Sequence, residues 1–260
     1  MAVNKDSLTN ICYEVVGKED GSDTLLFIHG AGGNMGALKA LAYQFPEYKC
    51  VLVDLPGHNL SGGNIPNNVS GYTSAIENFI ISNKESFGDN ITCIGHSMGG
   101  CISLELALRK ISGIERLVIL NSGAKIDIDK EIINKAKESK IDKLWMYKAG
   151  GSHLSPRVYS FFLKGFREMI ASQKIAADDL LLVDKFDVRD SVKDIKLPVL
   201  IITGAKEILA RPEDSKYLHS QIDGSQLIIM ERVAHLMPIV IPEKLALKIR
   251  PFLAVRTSVM

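Results

Sequence analysis

Cysteine is scarce in this chain, and the few present follow no metal pattern. Four occur in 260 residues: Cys12, Cys50, Cys93 and Cys101. That number excludes a disulfide-dense secreted scaffold, and the spacing is not that of a zinc site. Cys50 and Cys93 fall in or beside apolar runs, and Cys101 follows in a helical pattern, so all four are expected as buried free thiols. A reducing compartment follows, with the cytoplasm as the expected location. Charge of one sign is also missing. The 31 basic and 30 acidic residues leave a formal charge of +1. No segment carries the basic stripe of a nucleic-acid-binding surface. No apolar run approaches the roughly 18 residues of a membrane span. Met1 to Asn10 lack the apolar core of a signal peptide. Internal repeats and low-complexity tracts are absent too.

What is there suits one large domain, or a domain with an inserted lobe. Hydrophobic residues make up 46% of the chain, enough to bury a sizeable core. Thr24 to His29, Tyr48 to Asp54, Ile91 to Ile94, Glu115 to Leu120, Leu197 to Thr203 and Gln226 to Met230 read as strands. Helical patterns alternate with them over 35–45, 70–85, 101–108, 212–219 and 242–253. Several of the strands are continuous apolar runs, as in sheets buried on both faces. This order predicts a three-layer α/β/α sandwich around a mostly parallel sheet. Ile11 to Val16 is a candidate edge strand.

From about Lys125 to Ser191 the alternation stops. Helical patterns run over 128–138, 140–149, 156–170 and 174–184, with no clear core strand. The stretch is too long for a simple loop. It predicts a helical lobe, 125–191, inserted into a core formed by 1–124 and 192–260. Such a lobe would hang over the carboxyl ends of the strands, where open α/β folds bind ligands. Asn34 from the core and Trp145, Tyr147 and Phe162 from the lobe are the candidate substrate-lining residues.

The chemistry centres on Gly95-His96-Ser97-Met98-Gly99, between a strand and a helix. Glycines two residues either side of Ser97 allow a tight elbow, which presents the serine hydroxyl near helix N-terminal amides. A serine needs a base and a group to orient that base. His235 follows the strand at 226–230 by a short loop and is the candidate base. The third group is expected after the strand at 197–203, where Glu207 is the first choice. Glu213 and Asp214, placed in a helix, and the more distant Asp127 are the alternatives. The backbone N–H groups of Met98 and Ala31 are the candidate oxyanion donors. Ala31 belongs to the loop His29-Gly30-Ala31-Gly32-Gly33-Asn34, which matches neither glycine-rich phosphate motif. In that loop Asn34 either holds the backbone or touches substrate.

The remaining histidines receive structural readings. His29, His58 and His96 each neighbour a glycine at a strand end but lack metal-site spacing. Asp54 is expected to anchor its own loop. His153 is read as a lobe loop residue and His219 as a helix-surface residue. No metal and no organic cofactor are expected.

Together HGAGGN (29–34), DLPGHNLS (54–61), GHSMGG (95–100), LPVLIITG (197–204) and Ala234-His235 resemble the α/β-hydrolase superfamily over nearly the whole chain. The resemblance implies that superfamily's fold with a helical cap at 125–191. Carried over by position, it implies Ser97 as nucleophile, Glu207 as acid and His235 as base, with the amides of Met98 and Ala31. Two residues depart from the pattern. Glu207 stands where aspartate is usual, and Asn59 where a second glycine is usual. The implied activity is that of a serine hydrolase of carboxylesterase or lactonase type, acting on a small ester-like substrate with water. The superfamily also holds thioesterases, carbon–carbon bond hydrolases and haloperoxidase-like enzymes. A slow or non-catalytic ligand-binding protein on the same scaffold is the competing class. Oligomeric state is not readable from the chain.

Overall fold

The apolar runs assemble into one eight-stranded sheet in the computed structural model, which describes residues 3–19, 23–138 and 173–255. The strands are β1 (Asn4–Lys5), β2 (Cys12–Gly17), β3 (Asp23–Ile28), β4 (Lys49–Val53), β5 (Asn90–His96), β6 (Ile114–Leu120), β7 (Val199–Gly204) and β8 (Gln226–Met230). Their spatial order is β1-β2-β4-β3-β5-β6-β7-β8. The β1/β2 and β2/β4 pairs are antiparallel, and every other pair is parallel. The candidate strand at 11–16 is therefore β2, one place in from the edge.

The chain leaves β3 toward β4 on one side and returns to β5 on the other. That reversal is the switch point beyond which open α/β sheets bind ligands. The loops after β3, β4 and β5 carry the glycine-rich segment, the Asp54 loop and Ser97.

Both faces of the sheet are covered, which explains the unbroken apolar strands. Leu26 and Ile28 pack into one cluster with Ile76, Phe79 and Leu104. Leu25 and Phe27, one residue out of phase, pack into the other with Leu38, Leu41 and Ile249. The period-two alternation of a strand sends adjacent side chains to opposite faces. The α-helices among the described residues are α1 (Gly36–Ala42), α2 (Val69–Ser82), α3 (Lys84–Phe87), α4 (Met98–Leu108), α5 (Lys130–Lys137), α6 (Gln173–Asp184), α7 (Pro212–Gln221), α8 (Met237–Val240) and α9 (Pro242–Ala254). The pattern over 70–85 resolves into two helices. Asn83 breaks it, its amide donating back to Phe79 O and across to Asp6. Almost every residue of α4 is buried, so this helix is apolar all round rather than on one stripe.

At the foot of the predicted lobe, Val188 N–H donates to Ala124 O at 2.9 Å, and Lys125 bridges Asp187 antiparallel. The patterns at 128–138 and 174–184 appear as α5 and α6, which pack on each other. Those at 140–149 and 156–170 lie outside the described residues. All four cysteines are buried and unpaired. No helix among the described residues is long and apolar enough to cross a membrane.

Candidate active site

Ser97 sits between β5 and α4 with φ 55° and ψ −120°. Such a φ is rare outside glycine and marks backbone strain held by its surroundings. The flanking glycines are what allow it. A Cβ on Gly95 would strike the backbone of Gly99, and a Cβ on Gly99 would strike the carbonyls of Ile28 and His29. The neighbouring β3 backbone thus passes directly against the elbow.

His235 follows β8 by a short loop. Its Nδ1 donates to Glu207 Oε2 at 2.8 Å, with both side chains almost wholly buried. The proton on Nδ1 leaves Nε2 as a bare acceptor. Glu207 Oε1 accepts from the N–H groups of Ile208 (2.8 Å) and Leu209 (2.7 Å). The longer glutamate side chain therefore has a fixed geometry: one oxygen is gripped by its own loop and the other is aimed at the imidazole. The structure does not bring the alternative acids into this role. Asp127 is exposed and paired with Lys125, and Asp214 lies in the first turn of α7.

Two buried side chains clamp the His235 backbone to the elbow. His96 Nε2 donates to His235 O at 2.8 Å, and its ring lies 4.8 Å from the His235 ring. Asn121, at the end of β6 with φ 46°, donates from Nδ2 to the carbonyls of Ala234 (3.1 Å) and His235 (3.0 Å). Its Oδ1 accepts from Gly204 N–H at 2.9 Å, tying in the end of β7. One amide thus ties the end of β7 to the loop that carries His235. No motif marks Asn121 in the sequence; its place directly after an apolar strand is the only signal.

Among the described residues, neither the Met98 nor the Ala31 N–H has an acceptor. The loop that carries Ala31 is held from several sides. Gly33 N–H donates to Gly30 O at 3.0 Å, closing a turn. His29 donates from Nδ1 to Gly30 O at 2.9 Å and accepts from Leu55 N–H at Nε2. Asn34 Oδ1 accepts from Gly36 N–H at 2.9 Å, so its side chain holds the loop. Asp54 anchors more than its own loop. Oδ1 accepts from Met35 N–H at 2.8 Å, and Oδ2 from Asn59 Nδ2 at 2.9 Å. Asn59 itself has φ 45°, which explains asparagine where glycine is usual.

Other predicted residues fall outside this cluster. His219 is exposed and bonded to Ser225. Trp145, Tyr147, His153 and Phe162 lie outside the described residues. Among the described residues, no three His, Cys, Asp or Glu side chains are placed to hold a metal ion.

Two of these histidines set an acid sensitivity. Burial, followed by the charge of His58 on His29 and of His235 on His96, pulls both down to about 3. An unfolded histidine titrates near ~6.5. Between those values the unfolded chain binds more protons, so stability falls as pH falls, by up to about 1.4 kcal/mol per pH unit for each residue. Asp214, raised from 3.8 to about 6 by burial and then by Asp127, works in the opposite direction between those two values and offsets one histidine there. The urea midpoint of the wild type is expected to fall from pH 6.5 toward pH 5. In His96→Gln the slope should be shallower by up to one proton; an unchanged slope would contradict the buried neutral form.

The comparisons with known proteins agree with this fold. The sequence model of the alpha/beta hydrolase fold matches residues 23–148. The solved structure of a lipase-esterase related protein from Clostridium acetobutylicum is 32% identical, with a TM-score of 0.87 over 94% of this chain and 99% of the other. The chain belongs to the alpha/beta hydrolase fold family. An enol-lactonase from Burkholderia xenovorans shares the hydrolase fold at 17% identity and a TM-score of 0.83, over 94% of this chain and 96% of that one. A pimeloyl-[acyl-carrier protein] methyl ester esterase from Neisseria meningitidis serogroup B is 24% identical over 238 residues, 83% of this chain and 87% of the relative.

Proposed function

We propose that the protein is a serine hydrolase that cleaves small carboxylic esters or lactones through Ser97, His235 and Glu207. The observation that carries this reading is the 2.8 Å bond from His235 Nδ1 to Glu207 Oε2, taken together with a serine held in a strained elbow. His235 Nε2 takes the Ser97 proton as Oγ attacks the ester carbonyl. The charge that builds on the carbonyl oxygen falls to the N–H groups of Met98 and Ala31. The protonated imidazole then gives its proton to the leaving alcohol. Water, deprotonated in turn by His235, releases the acid from the acyl-enzyme.

The names of the relatives support an ester as the substrate class. The Glu207–His235 bond favours turnover over a binding scaffold, since an idle acid has no need to orient an imidazole. We read 1–124 and 192–260 as the core and 125–191 as the inserted cap, a division supported by the neck at Ala124–Lys125 and Asp187–Val188. The four unpaired thiols support a reducing compartment.

Pre-steady-state hydrolysis of an activated short-chain ester tests the chemistry. A burst equal to the enzyme concentration is expected, because acylation outruns deacylation with a good leaving group. Ester turnover that persists at the wild-type rate in Ser97→Ala would overturn the reading.

A further inference from the structure

Of the buried carboxylates that the mechanism above does not use, one bonds the glycine-rich loop from α6. Asp179, on α6, is fully buried and lies in the C-terminal part of the segment predicted as the cap. Its Oδ2 accepts from Gly32 N–H at 2.8 Å and from His58 Nε2 at 2.8 Å, and its Oδ1 accepts from Tyr72 Oη at 2.6 Å. Three separate segments therefore converge on it: the glycine-rich loop, the loop after β4, and α2.

The His58 partner is charged. Its Nδ1 faces Pro56 O at 3.1 Å and its Nε2 faces Asp179. Both neighbours are acceptors, so both ring nitrogens carry protons. Burial opposes that charge, but the bond to Asp179 and its negative charge outweigh it, and His58 is held above its ordinary value. Asp54 adds a weaker contribution of the same sign, while the neighbouring His29 ring stays neutral.

The Gly32 bond falls on a sensitive peptide. Gly32 has φ 63° and is the third residue of the turn closed by Gly33 N–H and Gly30 O. Positive φ there is the signature of a type II turn, and rotating the middle peptide converts it to type I. The middle peptide is Ala31–Gly32, directly after the amide assigned to the oxyanion. Helix α6 also covers it closely: a Cβ on Gly32 would strike Ala176.

We propose that Asp179 is a positioning residue that locks the oxyanion loop in its working turn, and so couples α6 to catalysis. The inference rests on the serine hydrolase reading. Without the carboxylate the Ala31–Gly32 peptide is released, and the preceding Gly30–Ala31 peptide, joined to it through the Ala31 Cα, loses a neighbour that fixes where its N–H points. Substrate binding away from the carbonyl is left intact.

The test compares Asp179→Ala, Asp179→Asn and Ser97→Ala on one activated ester, with a boronic acid as the tetrahedral probe. In Asp179→Ala, kcat is expected to fall about 10- to 100-fold, below the ~10²–10³ lost with a whole oxyanion donor. KM should move less than about threefold, and boronate affinity should fall in parallel with kcat. Asp179→Asn should recover most of kcat, because its carbonyl oxygen keeps the Gly32 bond and its NH2 donates to Tyr72. Unchanged kcat and boronate affinity in Asp179→Ala, with only a lower melting temperature, would overturn the proposal. Full turnover in Ser97→Ala would instead remove the hydrolase reading beneath it. If Asp179→Ala does not fold, amide exchange in the wild type decides. The Gly32 N–H should be strongly protected, and an unprotected amide would overturn the lock.

Discussion

Ser97→Ala is expected to lower kcat/KM on an activated short-chain ester by about 10⁴-fold or more, with the fold retained. The size of the loss follows from what the residue does. The oxyanion amides and the substrate contacts survive the substitution, so some acceleration over water remains. Covalent catalysis does not survive, because no other hydroxyl occupies the elbow. Stability should change little. The Ser97 side chain accepts no hydrogen bond from a described residue, and the strain at φ 55° belongs to the backbone. Alanine at this φ keeps the strain but adds none from a larger side chain. Steady-state kinetics beside a thermal melt measures both parts. A loss smaller than about tenfold would contradict the nucleophile role.

Glu207→Gln is expected to lower kcat by about 10³- to 10⁴-fold. The reasoning is specific to the way this glutamate is held. Oε1 already accepts two backbone N–H groups, from Ile208 and Leu209. A glutamine must place its carbonyl oxygen there, because its NH2 group would face two donors. The NH2 is then turned toward His235 Nδ1. The imidazole answers by moving its proton to Nε2, which can no longer accept one from Ser97. The variant should fold normally and should still bind substrate. Glu207→Asp should fall between the two. Its carboxylate keeps the charge but is one methylene short of spanning both the loop amides and the imidazole. A Glu207→Gln enzyme within tenfold of the wild type would show that the acid lies elsewhere.

The route from sequence to this site was direct wherever the chemistry lies next to a strand end. Ser97, His235 and Glu207 each follow an apolar run by a few residues, which sets all three beyond the carboxyl ends of parallel strands. The glycine pair at 95 and 99 was legible for the same reason, since its function is local crowding. The grip on Glu207 was not legible. Nothing in Gly204-Ala205-Lys206-Glu207 shows that the extra methylene lets the carboxylate fold back onto the two following amides.

Long-range polar contacts were harder still. Asp179 pairs with His58 and Tyr72 across 121 and 107 residues of chain. The sequence does carry one signal for it: in α6 the apolar positions Ala176, Leu180 and Val183 share a helical face, and Asp179 lies on it. A carboxylate on an apolar stripe requires a buried partner. Asn121 left no such trace, because a single asparagine after a strand is also an ordinary turn residue. Asp54 was read as serving one loop and serves two, since its second oxygen reaches the start of the helix after the glycine-rich segment.

The central claim is that Ser97 is a working nucleophile activated by His235. Intact-mass measurement after treatment with a fluorophosphonate, followed by peptide mapping, tests it most directly. One adduct per chain, located on Ser97 and absent from Ser97→Ala, is the predicted result. A folded wild-type protein that takes up no adduct, or a Ser97→Ala variant labelled as fully as the wild type, would contradict it.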